Sequence, residues 1–251
     1  MDNIKTSGIV IKSKKYKESS KILTVFTYEL GKINILAQGV LKPNSNALAY
    51  SEIFSTSDFI LKKGRNFYYI VGADLINSNY SLRESIESMA IGFYLIDLVD
   101  KAIPEEEKND KIYNMLTKAL EIIQKGSITN IDLILAFELK LISFVGYKPD
   151  LTSCIECQTL KSTQWYFDIE KGGILCSKCK NKSSIKIEKK FIRQMIEYIN
   201  LPFDNINSEI IIYQDKLIMQ ETLYKYILDK LDIKDLKSWS LARELLENSL
   251  A

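Results

Sequence analysis

The sequence predicts an α+β chain: a closed N-terminal β-barrel, then an α-helical domain into which a four-cysteine ribbon is inserted. Three observations predict it. Through residue 79, short β-branched and aromatic runs alternate with turn residues, and no helical period interrupts them. From residue 80 the apolar spacing changes to three and four. All four cysteines lie between positions 154 and 179, as two C-x-x-C pairs, in a 251-residue chain without histidine. The expected boundaries are 1–79 for the barrel and 80–251 for the helical domain, with the ribbon at about 151–182.

The strands come first. "SGIVIK" at 7–12, "KILTVFTY" at 21–28 and "KINILA" at 32–37 read as β, and "ELGK" with Gly31 turns the second into the third. The stretch "QGVLKPNSNALAYSE" is a loop by its Gly39, Pro43, Asn44 and Ser45. "IFSTSDFILKK" and "NFYYIVGADLI" then read as two strands about a tight "KKGRN" turn. Five β segments at this spacing suggest a small closed barrel. One such barrel, the OB-fold, binds oligonucleotides across one face and its adjoining loops.

The helices follow. "SLRESIESMAIGFYLIDLVDKAIP" opens with a capping-box pattern, Ser81 and Glu84, and Pro104 ends it. A second helix is expected over about 105–125, with the "EEE" of 105–107 at its head, where acidic side chains complement the helix dipole. A third covers 130–145 and stops at Gly146. "IEKKFIRQMIEYIN" is amphipathic, and "SEIIIYQDKLIMQETLYKYILDKL" is a further helix. Their apolar stripes read as core.

The cysteines are spaced for a metal. Cys154 and Cys157 form one pair, Cys176 and Cys179 the other, with 18 residues between Cys157 and Cys176. Two such pairs at this separation converge four thiolates on one point, the tetrahedral shell of a structural Zn²⁺. A catalytic zinc would keep a position open for water, and four sulfurs close it. Other readings compete. Two disulfides need an oxidising compartment, whereas the N-terminal residues show no apolar leader and predict a cytoplasmic protein. A thioredoxin-like pair needs a neighbouring βαβ pattern, and none is visible. An iron–sulfur cluster accepts the same four ligands and stays open at this stage. Between the pairs, "WYFDIEKGGILC" reads as strand, turn, strand, with Gly172 and Gly173 at the turn.

Composition narrows the chemistry further. With 46% apolar and 26% charged residues, the chain has globular composition, and its apolar runs are too interrupted to span a bilayer. Lacking histidine, it has no Ser–His or Cys–His dyad, and no phosphate-binding G-x-x-x-x-G-K-[ST] loop occurs. Both absences count against an enzyme, although enzymes without histidine exist. The net charge of +2 is unevenly spread. Residues 1–80 hold eleven Lys/Arg against six Asp/Glu, and residues 151–190 hold eight against four. The segments 81–150 and 191–251 are acidic. Basic character on the barrel and around the cysteines marks both for contact with a polyanion.

With these elements in place, the chain resembles the bacterial recombination mediators of the RecO family. The resemblance rests on "GIVIKSKKYKESSKILTVFTYELGKINILAQGV", where Glu18 and Ser19 precede the second strand. Thr27, Glu29, Leu30, Gly31 and Lys32 form the T-x-E-L-G-K turn, and Ala37 and Gly39 end the third strand as A-x-G. "FILKKGRNFYYIVGADLI", "FELKLISFVGYKPDLTSC" and "LKSWSLARELL" match as well, so the resemblance covers nearly the whole chain. It implies a protein that binds single- and double-stranded DNA without sequence preference and anneals complementary strands. It also implies work with RecR to load RecA, an indirect partner, onto DNA coated by single-strand binding protein. It implies DNA repair in the cytoplasm, at the nucleoid, with no membrane partner and no nucleotide or catalytic residue.

The DNA-binding candidates are barrel cations: Lys12, Lys14, Lys15 and Lys17 after the first strand, Lys32 in the turn, Lys42 in the loop, and Lys62, Lys63 and Arg65 in the last hairpin. Cations there neutralise phosphates while leaving bases free to pair. Tyr16, Tyr68 and Tyr69 are candidates for stacking on bases, although alternation along the last strand assigns one of its two faces to the core. The family's loop after A-x-G often carries several arginines, whereas "VLKPNSN" here has Lys42 alone, which shifts weight to the other lysines. Lys161, Lys171, Lys178, Lys180 and Lys182 make a second basic patch around the cysteines. Two alternatives stand beside this reading: an adaptor that binds only proteins through its barrel and ribbon, and a metal-dependent nuclease, which would need clustered carboxylates.

Overall fold

A computed structural model describes residues 3–43, 45–207 and 211–248. The predicted loop residue Asn44 and residues 208–210 of the expected fifth helix lie outside the described residues. The chain divides into two compact units at residues 125/126.

The first unit holds the barrel. Its strands are β1 (Ile4–Tyr16), β2 (Ser20–Thr27), β3 (Gly31–Ala37), β4 (Thr56–Lys63) and β5 (Tyr68–Asn77). They close in the order β1-β2-β3-β5-β4, with β1 returning to pair with β4. Every pairing is antiparallel except β3–β5, which is parallel and only two residue pairs long. This is the mixed α+β design expected, and its strand order is that of an OB barrel.

β1 is longer than the sequence suggested, because it pairs with β4 through its first half and with β2 through its second. A bulge between Val10 and Lys12 lets it change direction. Val10 enters the barrel core with Leu23, Val25, Ile33, Ile35, Phe59 and Leu61. Between β3 and β4 the predicted loop contains a short 3-10 turn, Asn46–Ser51, capped by Ser45.

Two helices complete this unit, α1 (Ile86–Ala102) and α2 (Asp110–Lys125). The expected capping box at Ser81 and Glu84 is corrected: Ser85 caps α1 by accepting from the Ser88 N–H. Ser81 instead sits in a 3-10 turn, Tyr80–Arg83, and its hydroxyl bonds Gln124 at 2.8 Å. The "EEE" segment is corrected too. It precedes α2 as an extended strap, with Glu105 bridged to Lys32 of β3 and Glu106 at φ +56°.

The second unit packs α3 (Asn130–Phe144) against α4 (Lys189–Asn200) and α5 (Tyr213–Lys230), followed by α6 (Lys237–Asn248). α3 is buried nearly all round, so its polar residues need internal partners. Asp132 receives Lys216 at 2.8 Å together with the Tyr198 hydroxyl, and Glu138 receives Gln220 at 2.9 Å. Lys140 crosses to the C-terminal end of α4 and donates to the carbonyls of Ile199 (3.1 Å) and Leu201 (2.6 Å). An ammonium there satisfies carbonyls that the helix leaves open.

Between α3 and α4 lies a three-stranded ribbon, β6 (Trp165–Asp168), β7 (Gly173–Cys176) and β8 (Ile185–Ile187), in the order β7-β6-β8. Phe167 stands edge-on to Tyr226 of α5, with ring centroids 5.3 Å apart. Gly172 turns β6 into β7 at φ +69°, and a Cβ there would meet the Tyr226 hydroxyl at 2.7 Å. No helix among the described residues is long and apolar enough to cross a membrane.

Candidate metal centre and nucleic-acid interface

The ribbon brings the four predicted cysteines together. All four Sγ atoms of Cys154, Cys157, Cys176 and Cys179 lie within 4.8 Å of one another, and Cys157 and Cys176 are 3.7 Å apart. Tetrahedral Zn–S bonds of about 2.3 Å give sulfur–sulfur edges of about 3.8 Å, so the cluster is of the right size. Each pair is wound into a tight turn. Gln158 N–H donates to the Cys154 carbonyl at 2.8 Å, and Lys180 N–H donates to the Cys176 carbonyl at 3.0 Å. The Cys176 N–H points at Cys154 Sγ from 3.4 Å.

The donor chemistry also fits a cation. Burial opposes ionisation of Cys154, yet the backbone N–H groups of Cys157, Cys176 and Glu156 outweigh it and bring the thiol down to about 6. Cys176 is lowered through the same contest, burial against the N–H groups of Lys178 and Cys179. Cys179 is pushed up to about 12 by the neighbouring thiols of Cys157 and Cys176. Four thiolates cannot share this volume unaided, and a divalent ion at their centre removes the conflict.

The barrel sorts its predicted cations into two groups. Lys14, Lys15, Lys17, Lys42, Lys62 and Arg65 are exposed and have no acidic partner among the described residues. Lys14, Lys15 and Lys17 lie at the β1–β2 end, where Tyr16 is also exposed. The Leu41 N–H to Ser19 carbonyl bond, 3.0 Å, draws the turn bearing Lys42 to the same hairpin. Lys62 and Arg65 mark the β4–β5 end, beside Tyr69.

The other three cations are engaged. Lys12 pairs with Asp100 of α1 at 2.5 Å. Lys32, a candidate phosphate contact at the turn into β3, is the second residue of that strand and is buried. Its ammonium reaches the Asp100 carboxylate at 3.3 Å and the Asp100 carbonyl at 2.5 Å. Lys63 is held by both Glu106 oxygens, at 2.9 and 3.0 Å. Tyr68 is not a stacking platform: it is a core residue whose hydroxyl donates to Glu106 at 3.1 Å.

The strap, residues 105–107, thus lies along the β3 edge and the β4–β5 hairpin. Asn34 donates to Glu105 at 3.1 Å, and Glu106 N–H donates to the Lys32 carbonyl at 2.9 Å. Lys63 and Tyr68 together hold the Glu106 carboxyl below its ordinary range. Gly31, at φ +68°, leaves room for the strap, since a Cβ there would lie 2.1 Å from the Glu107 carbonyl oxygen. A small polar cavity of about 80 Å³ remains between the strap and the hairpin, lined by Asn34, Arg65 and Glu106 among others.

Sequence reasoning missed Asp100 and Glu106, because only the fold brings them to the lysines. It also missed Asp168, a buried carboxylate that accepts from Lys171 N–H at 2.9 Å and Asn181 at 2.5 Å. An Asp just before a Gly-Gly turn was the signal that could have found it.

The profile "Recombination protein O N terminal" matches residues 1–79, and "Recombination protein O C terminal" matches residues 83–240. The "DNA repair protein RecO" of Alkaliphilus metalliredigens is 37% identical over 185 residues, 74% of this chain and 75% of that protein. Proteins of the same name from Acetivibrio thermocellus and Caldicellulosiruptor saccharolyticus are 31% and 33% identical, over 83% and 78% of this chain and 84% and 80% of their own. Two family profiles that together match residues 1–79 and 83–240, and relatives 31–37% identical along most of their length, lead to one conclusion: the chain belongs to the RecO family of DNA repair proteins.

Proposed function

We propose that the protein is a recombination mediator in DNA repair that binds single- and double-stranded DNA through its barrel and anneals complementary strands. In this reading it acts with RecR and single-strand binding protein to help load RecA, and it carries out no chemical step of its own. One zinc ion, bound by Cys154, Cys157, Cys176 and Cys179, holds the ribbon together.

The observation that carries the reading is the set of exposed cations without acidic partners at the two hairpin ends, Lys14, Lys15, Lys17, Lys42, Lys62 and Arg65. Such groups meet phosphates and leave base edges unread, as annealing requires. Affinity is therefore expected to vary little with base sequence and to fall steeply with salt. Neutralising about four to six phosphates gives a slope of log K against log salt of roughly −3 to −5. Lys14→Ala with Lys15→Ala should flatten that slope by about one to two units and slow annealing. A fluorescent oligonucleotide titrated across a salt series measures both. Salt-independent affinity, or strong preference for one sequence, overturns the reading.

A second reading, a protein-binding adaptor, draws support from the acidic partners of Lys12, Lys32 and Lys63. It predicts no retention of nucleic acid even at low salt, and the same titration separates the two.

A further inference from the structure

We infer that the outer face of the ribbon is a second site for a nucleic-acid strand, which it holds by its phosphates. The inference rests on the nucleic-acid reading above and adds a place on the 126–251 unit where a strand is held. Along β6, Trp165 and Phe167 are buried, so Tyr166 points to the opposite face, directly across from Lys186 of β8. Lys180 lies over the Tyr166 ring, 4.8 Å from its centroid, and donates to its hydroxyl at 3.2 Å. Lys178 and Lys182 are exposed on either side of Lys180 in the chain.

The acids nearby are already used. Glu156 is taken by Lys171, Glu188 by Lys190 at 3.5 Å, and the Asp168 carboxylate is buried under its two hydrogen bonds. Glu170, at the hairpin tip, is left exposed. Lys178, Lys182 and Lys186 have no acidic partner among the described residues. The loop that presents them is fixed in place. Asn181 donates to Asp168, and its own oxygen accepts from the N–H groups of Ser183 (3.1 Å) and Ser184 (2.8 Å). Binding there costs little ordering of the backbone.

The chemistry between these lysines selects the ligand. Ser177 and Ser183 are exposed beside them, and hydroxyls with ammonium groups suit phosphate oxygens. An acidic peptide would gain most from an apolar pocket among the cations, whereas the apolar cavity that borders β8 is only about 20 Å³, leads from Ile185 and Ile187 toward Phe191, Met195 and Met219, and takes in Lys186 alone of these lysines. A backbone-held strand keeps its bases free, and a surface on each unit lets one chain hold two strands at once.

The test uses the full chain and two oligonucleotides of unrelated sequence, each bearing a different dye. The parent protein is expected to hold both, seen as the two dyes eluting together with the protein. Lys178→Ala/Lys182→Ala/Lys186→Ala should keep first-strand binding but weaken second-strand capture roughly tenfold, with a salt slope for that step smaller by about two units. Lys180 stays, because it braces Tyr166. If the parent binds no strand, the nucleic-acid reading itself fails. If it binds one strand, and the triple variant captures a second as well as the parent does, the ribbon site alone is overturned. Metal content is read in the same samples. Its loss in the variant would make the lysines a support for the thiolate centre and overturn the proposal, as would tighter binding of polyglutamate than of an oligonucleotide of equal charge. Should the triple variant misfold, a bromodeoxyuridine-substituted strand photocrosslinked to the parent decides. Adducts on peptides within 161–189 support the site, and adducts confined to the barrel overturn it.

Discussion

Near the end of α1, the Asp100 side chain is 9% exposed and faces two ammonium groups, Lys12 at 2.5 Å and Lys32 at 3.3 Å. Burial by itself would raise its pKa, but the two lysines outweigh burial and hold the carboxyl below the usual carboxylate range. A carboxyl lowered on folding adds stability above its unfolded value, about 3.9, and loses that contribution as pH falls through its folded value. Asp100→Asn leaves the buried Lys32 ammonium without its counter-charge. It should cost roughly 2–4 kcal/mol at neutral pH, less than a fully enclosed pair because Lys12 reaches solvent. The same change should remove part of the parent's acid destabilisation below about pH 4. Urea unfolding of parent and variant at pH 7 and at stepwise lower pH measures both effects, and parallel curves would remove Asp100 from the account. At this scale the sequence was half legible. Lys12 and Lys32 could be counted as cations, but their neutralisation depends on α1 returning to the barrel 68 to 88 residues later. The four cysteines were legible in full, since both partners of each C-x-x-C lie within one turn of chain.

Among the elements, the strap is where local preference misled. Three consecutive glutamates before a helix fit the rule that acids favour its first turn, and α2 does begin a few residues later, at Asp110. The segment takes extended and left-handed backbone instead, because Lys32, Asn34, Lys63 and Tyr68 offer it partners. β1 was underestimated for a related reason: its outer turns are strand only because β4 and β2 pair with them. β2, β3 and the third helix, with punctuation at both ends, were legible almost to the residue. The strap also predicts a gain on mutation. Glu106→Gln frees Lys63 while keeping side-chain size, so oligonucleotide affinity at low salt should rise several-fold. The salt slope should steepen by about 0.7–0.9, one further phosphate. Both partners are half exposed, so stability should change little. An oligonucleotide titration and a thermal melt on the same preparation test this, and unchanged or weaker binding would make Glu106 a structural brace.

For the whole molecule, the two compact units differ in what stabilises them. The barrel unit rests on a continuous apolar core, whereas the ribbon has strands of only three or four residues. Metal ligation should therefore matter to the second unit above all. Cys154→Ser is expected to purify with little or no metal, and limited proteolysis should then cut within 151–188 before it cuts the barrel strands. Metal analysis together with peptide mapping checks this, and full metal occupancy in the variant would contradict it. The strap has one more consequence, for how copies of the protein behave toward each other. β5 covers only Ile35 and Leu36 of β3, so the first part of that strand would present unpaired backbone groups at the barrel's seam. Such an edge is a template for strand addition by another chain, the first step toward aggregation. Glu105 and Glu106 cover it with a short stretch of backbone that ends after one bridge, and they place carboxylates over it. The strap whose Glu106 carboxylate holds Lys63 thus also guards the barrel against its own copies.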